Sequence, residues 1–203
     1  MSEADEVVSA WQRIADWLHE HAPSSAEALR PGASDEEIAA LKRSVECDIP
    51  PALEMWLRVN NGSTAKDVRR PIPGGGISLH PHPDSLIFPG GMKFLGCKEI
   101  IVHYVDYLRI AQDIGDTEYW KPSWIPIAAQ NDAPYGIILD TQSGYNPPPL
   151  LRFSEGDYPS FYLPSLCAFL QPLAGLLETG EEPGSAVEFD RYFVADGRIH
   201  WPY

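Results

Sequence analysis

The chain has 203 residues, and a chain of that size can bury about 70% of its unfolded surface without a metal or a disulfide. Hydrophobic residues make up 44% and charged residues 22%, an ordinary globular balance. With 15 Lys and Arg against 29 Asp and Glu, the net charge is −14. That excludes a protein that wraps nucleic acid, because phosphate backbones are held by clustered cations and the short Arg69-Arg70 pair offers little. An acidic surface attracts basic partners instead, although the same acidity also serves plain solubility.

Three scattered cysteines, Cys47, Cys97 and Cys167, form no C-x-x-C, so neither a zinc site nor a redox motif is signalled. Sparse, odd cysteines fit a reducing compartment. "MSEADEVVSAW" is acidic where a secretory signal is basic. The most apolar stretch, "LCAFLQPLAGLL", is broken by Gln171 and Pro172 and is too short to span a membrane. A cytoplasmic protein is expected.

Val7, Trp11, Ile14, Leu18 and His21 recur in steps of four and three, which predicts an amphipathic helix over 7–21 with Trp17 beside the stripe. Ser34 followed by Glu37 reads as a capping box opening a helix over 35–45. The acids Asp35 and Glu36 then suit its positive end. Pro51 is tolerated in the first turn of a third helix over 51–60, where Leu53, Trp56 and Leu57 face inward. Asn60-Asn61-Gly62 supply residues that accept a left-handed helix stop.

Residues 63–91 are rich in proline and glycine, which predicts an irregular connection around short strands near 77–79 and 86–88. A helix follows over 98–113 and stops at Gly115. In "WIPIAAQNDAPYGIILD", alternation places Ile125, Ile127 and Ala129 on one face of a strand, and Tyr135, Ile137 and Leu139 on one face of the next. Asn131-Asp132 turn the corner between them. "LLRF" adds a third strand, so 124–153 should be an antiparallel meander. A helix over 165–178 keeps its phase across Pro172, which predicts a kink and not a break. Asp196-Gly197 is a favoured two-residue hairpin turn near the C-terminus. Trp11, Ile14, Leu53, Trp56, Trp124, Ile137, Leu139, Phe169 and Leu173 are the expected core. The order of elements indicates a single α+β domain, a mainly antiparallel sheet with helices packed on it.

Candidate chemistry is thin. His80, His82 and Asp84 alternate on an extended segment and could converge, but no spacing elsewhere names a further ligand, and an exposed loop is the default reading. Gly74-Gly75-Gly76 lacks any phosphate-loop pattern. No G-x-S-x-G elbow is present, and pairing a cysteine with one of six histidines carries no positional information. No catalytic residue, metal ligand or cofactor is assigned.

One signal rises above these. "WQRIADWL", "LRPGASDEEIAALKRSVECDIPPALEMWLRVNNG", "FLGCKEI", "WIPIAAQNDAPYGIILD" and "SLCAFLQPLAGLLETG" follow one another in an order that resembles the SUKH superfamily, the Smi/Knr cell-wall assembly regulator family. The resemblance spans about residues 7–180, and it implies a SUKH-like domain over 1–180. The Pro/Gly-rich 63–91 segment departs from the family pattern, and 181–203 is a C-terminal extension read as a hairpin. By resemblance, Trp124, Pro126 and Gly136 define the fold and do no chemistry.

The resemblance also implies a non-enzymatic binding protein. Bacterial SUKH members look like immunity proteins that neutralise toxins, often nucleases, whereas fungal relatives regulate cell-wall synthesis as scaffolds for an endogenous enzyme. The acidic charge agrees with a basic toxin as partner. Asp132, Tyr135, Asp140, Tyr145, Glu155, Asp157 and Tyr158, at the turns and strand ends of the meander, are the expected partner-binding residues. The remaining possibility, a small-molecule enzyme, would use the His80–Asp84 loop.

Overall fold

Helix starts follow the capping chemistry of the sequence. In a computed structural model that describes residues 2–63, 68–80, 83–130, 135–154, 156–181, 189 and 191–201, the Ser34 hydroxyl accepts the Glu37 N–H at 3.2 Å. The Glu37 carboxylate accepts the Ser34 N–H in return, at 3.0 Å. Ser2 and Asp5 repeat the device at the start of the first helix. The helices are α1 (Glu3–His21), the short α2 (Pro23–Glu27), α3 (Asp35–Ser44), α4 (Pro51–Val59), α5 (Cys97–Ile114) and α6 (Leu166–Thr179), of which α2 and α4 open on a proline without a side-chain cap. Gly115 and Gly180 end α5 and α6 in the left-handed conformation. α6 continues through Pro172, as its unbroken apolar phase requires.

Among the described residues the sheet has five antiparallel strands: β3 (Lys93–Phe94), β4 (Trp124–Ala129), β5 (Gly136–Asp140), β6 (Leu150–Phe153) and β7 (Ser160–Leu163), in that spatial order. Two short hairpins lie outside it, β1 (Val68–Pro71) with β2 (Ile77–His80), and β8 (Phe193–Ala195) with β9 (Arg198–His200). The architecture is a single α+β domain. One sheet face, with Ile125, Ile137, Leu139 and Leu150, joins α1, α4 and α6 in the main core. At its centre Trp56 stacks on Phe94 with ring centroids 3.9 Å apart, Trp11 and Phe88 flank the pair, and Phe169 packs on Phe88 in turn. All nine residues expected in the core are buried.

The opposite sheet face is also covered, which alternation alone did not indicate. Trp124, Ile138 and Phe153 pack against Tyr107 and Ala111 of α5 and against Trp120. Burial on both faces explains why every residue of β4 is buried.

Several expectations need correction. Asn60 is extended and not left-handed; of the three residues after α4, only Gly62 has positive φ. The Asn60 amide donates instead to the carbonyls of Arg30 and Gly62, and Asn61 Oδ1 accepts the first N–H of α5, from Cys97, at 2.8 Å. These asparagines spend their side chains on joining segments. The expected strand at 86–88 is a single bridge from Phe88 to Met92, because Pro89, Gly90 and Gly91 turn the chain at once. β7 went unread, since four residues between Pro159 and Pro164 carry too little pattern. The C-terminal hairpin forms at the expected turn, with Asp196 and Gly197 both at positive φ.

Charge pairing on α4 gives the fold a pH dependence. Lys42 and Arg58 hold the Glu54 carboxyl below its ordinary value of 4.5, at 2.6 and 3.0 Å. Because the folded pKa is depressed, the unfolded chain takes up this proton more readily. The contribution is therefore present above pH 4.5 and is lost as pH falls through the depressed folded value. Glu54→Gln should lower the urea midpoint at about pH 7, and its deficit against the parent should shrink progressively as the pH falls below 4.5. A difference that persisted undiminished in acid would mean that Glu54 acts through packing.

Candidate functional site

Three turns meet at one end of the sheet. They are the Phe88–Met92 turn before β3, the β4–β5 turn after Ala129, and the β6–β7 turn after Phe153. Between them lies an open cleft of about 530 Å³, lined by Met92, Gln130, Tyr135, Phe153, Asp157 and Tyr158 among others. Gln130 fixes one wall, its N–H donating to the Tyr135 carbonyl at 2.9 Å and its side-chain amide to the Gly90 carbonyl. Gly136 fixes the floor. A Cβ there would stand 2.3 Å from the Ala128 carbonyl oxygen and 2.7 Å from the Phe153 ring, so only glycine lets that ring lie across the strand.

The opposite wall is held by a polar latch. The Tyr158 hydroxyl donates to Asp116 Oδ2 at 2.7 Å, tying the β6–β7 turn to the loop after α5. That bond holds the Asp116 carboxyl below its ordinary range and pushes the Tyr158 phenol up. The Glu118 N–H also donates to Asp116, at 3.0 Å. Beyond Tyr158 a second, shallower recess is lined by Asp116, Glu118, Lys121, Trp124 and Pro159. Asp157 accepts the Ser154 hydroxyl at 3.1 Å and keeps the turn tight.

Of the seven residues expected to bind a partner, the five that are described divide between the two ends of the sheet. Tyr135, Asp157 and Tyr158 come together in the cleft. Asp132 and Glu155, which belong in sequence to the turns at the same end, lie outside the described residues. Asp140 and Tyr145 sit at the far end, where Asp140 pairs with Trp124 in register. The Asp140 carboxylate accepts the Gln142 N–H at 3.2 Å and the Ser123 hydroxyl at 3.4 Å, which makes it a turn-holding group. Tyr145 is 75% exposed there. Asp116, Glu118, Phe153 and Gln130 were missed, because only the folded sheet brings them beside the turns.

The candidate metal and nucleophile groups read differently in three dimensions. Asp84 engages Arg198 at 2.6 Å. His82 lies outside the described residues, as does the His80 side chain. Among the described residues no group of three His, Cys, Asp or Glu could hold a metal ion. Burial pushes the Cys97 and Cys167 thiols up to about 11 and raises Cys47 as well, so all three stay protonated at neutral pH. No helix among the described residues is long and apolar enough to cross a membrane.

The SMI1 / KNR4 family (SUKH-1) matches residues 32–171 of this chain. The chain belongs to that family. Every residue that lines the cleft falls inside the matched span, whereas α1, α2 and the C-terminal hairpin fall outside it. SUKH proteins are generally non-catalytic and act through protein–protein interaction, so the chain is a SUKH-type module. No curated protein matches it.

Proposed function

We propose that this SUKH module is a non-enzymatic immunity protein of the cytoplasm that binds and neutralises a basic toxin domain, of which nucleases are the leading type. The observation that carries the reading is the net charge of −14 on a member of a protein-binding family. A toxin that works on nucleic acid presents a cationic groove, and an acidic inhibitor meets it quickly through electrostatic steering. The cleft supports the choice of surface. Tyr135 and Tyr158 supply amphipathic aromatic area, Asp157 supplies charge, and rigid strands hold all three. Asp132 and Glu155 belong to the same turns by sequence. Asp140 and Tyr145, at the far end, are left to a secondary contact.

The test uses the product of an adjacent toxin-like gene, with binding followed by stopped flow and toxin activity measured alongside. Association should slow at least about tenfold from low to physiological salt, where the Debye length is about 8 Å. Replacing Asp132, Glu155 and Asp157 together with their amides should lower the on-rate more than it raises the off-rate. Tight binding that ignored both salt and the triple substitution would move the interface off the sheet end. Failure to bind or to protect toxin-expressing cells would replace immunity with a regulatory scaffold for an endogenous enzyme.

A further inference from the structure

A recess of about 470 Å³ lies where the C-terminal ends of α1 and α6 meet the β8–β9 hairpin. Among the described residues its wall includes Trp17, His21, Leu177, Glu178, Tyr192 and Val194. Trp17 and Tyr192 are both half-buried, with ring centroids 5.3 Å apart and planes at 89°, so the pair forms a right-angled corner. Tyr192 is pinned there by its hydroxyl, which donates to the Leu177 carbonyl at 3.2 Å. His21 extends the aromatic wall, its ring centroid 4.9 Å from that of Trp17. Trp17 and Tyr192 both lie against the main core, and neither is fully covered by it. The whole wall falls outside the family match over 32–171, so the recess belongs to what this chain adds to the family unit.

The surroundings favour a cation. α6 ends at this wall, and its last turn carries no basic residue to meet the negative end of the helix dipole. No Lys or Arg is among the described lining residues. Arg13 reaches Glu178 with two nitrogens, Nε at 2.7 Å, and is held on Gln171 at 2.9 Å. That pairing occupies the Glu178 carboxylate, so the attraction falls to the ring faces and the helix end. Gly180 and Tyr192 both line the recess, and the chain that joins them adds Glu181, Glu182, Glu188 and Asp190 against a single base, Arg191. The net charge of −14 acts in the same direction.

We infer that this recess is a binding site for a soft organic cation, a guanidinium or trimethylammonium group, seated against Trp17 and Tyr192. A cation over an aromatic face is attracted by the ring quadrupole, most strongly at tryptophan. A guanidinium is weakly hydrated and gives up little water to reach such a surface, whereas a compact, strongly hydrated lysine ammonium is the poorer ligand. Leu177 and Val194 receive the alkyl part of the ligand. The site stands apart from the sheet-end cleft and does not depend on the immunity reading.

Choline and acetyl-arginine amide are the probes, titrated at about pH 8, above the usual histidine range, with backbone and indole N–H chemical shifts as the readout. Saturable shifts should centre on Trp17 and Tyr192. The neutral carbon isostere of choline keeps its shape without its charge, and it should bind at least about tenfold more weakly. Trp17→Leu removes the larger ring and should weaken both probes by a similar factor. Val194→Lys fixes a cation on the rim from a residue 40% exposed, and it should do the same with an unchanged thermal melt. Tighter binding of acetyl-arginine amide would support the site as one for an arginine of a protein partner. Tighter binding of choline would support it as one for a small quaternary ammonium compound. Equal binding of the neutral isostere, binding that survived Val194→Lys, shifts centred on Tyr135 and Tyr158, or no saturable shift with either probe would overturn the inference.

Discussion

Gly96→Ala is expected to destabilise the fold by about 3 kcal/mol, at the upper end of what overpacking costs, and to lower the melting temperature by about 10 °C. The reason is a crossing of two backbones. A Cβ on Gly96 would stand 2.2 Å from the Asn61 carbonyl oxygen and 2.8 Å from its Oδ1, closer than real Cβ contacts allow. From the other side, a Cβ on Gly62 would stand 2.4 Å from the Gly96 nitrogen. Neither chain is free to retreat. Asn61 donates to the Pro31 carbonyl at 3.1 Å, Ser63 donates to the Phe94 carbonyl at 2.9 Å, and the Ser63 hydroxyl accepts the Phe94 N–H at 3.0 Å. Glu99 accepts the Gly96 N–H and grips Arg30 with both oxygens, which fixes the start of α5. Gly96 itself has φ −82, which alanine adopts without strain, so the loss would be purely steric. Gly62→Ala should be worse, since φ +88 adds backbone strain. Gly175→Ala is the control. It lies inside α6 with nothing within 4 Å of its Cβ position, and it should stabilise by about 0.5–1 kcal/mol. Urea unfolding of the three variants decides the matter, and a Gly96→Ala protein as stable as its parent would remove the crossing from the account.

That crossing marks the limit of what the sequence exposed. Periodicity and caps are local properties, so the five longer helices, the meander and the C-terminal turn were legible from neighbouring residues alone. "NNG" was legible as a stop but not as a junction, because its partner, Gly96, is 34 residues away and nothing local announces the meeting. The same holds for the site. Tyr135, Asp157 and Tyr158 could be proposed from their places in turns, but Asp116 joins them only through a hydrogen bond across 42 residues. Asp140 looked equivalent to Asp132 in the alternating pattern. Antiparallel pairing sends the two ends of one strand to opposite ends of the sheet, and position along a strand says nothing about which end meets the other turns.

Trp201→Ala is expected to destabilise by about 3–5 kcal/mol, the usual range for a large buried aromatic. Within 181–203, proposed as an extension of a SUKH-like unit over 1–180, the described residues 189 and 191–201 pack onto the family core. Trp201 is buried, its indole N–H donates to the Ile87 carbonyl at 3.1 Å, and its ring meets Tyr192 with centroids 5.6 Å apart. Ile199 is buried as well, and its N–H donates to the Ser25 hydroxyl at 3.1 Å. Phe189 meets Phe169 at 6.1 Å in the main core. The hairpin turn is anchored by Ser24, whose N–H donates to the Gly197 carbonyl at 2.7 Å. A hairpin so short is not stable alone, so these contacts hold it, and it in turn covers the Phe88–Phe169 side of the core. Truncating the ring would open a cavity and leave the Ile87 carbonyl without its buried donor, and both costs fall on the folded state. Phe193→Ala on the same hairpin is the contrast, since that side chain is 54% exposed and should cost no more than about 0.5 kcal/mol. Deleting residues 189–203 should go further, lowering the melting temperature steeply and making the protein bind a hydrophobic dye in the absence of denaturant. If the shortened chain instead melts cooperatively at the parent temperature, the SUKH unit is complete without residues 189–203 and the hairpin is only an attachment.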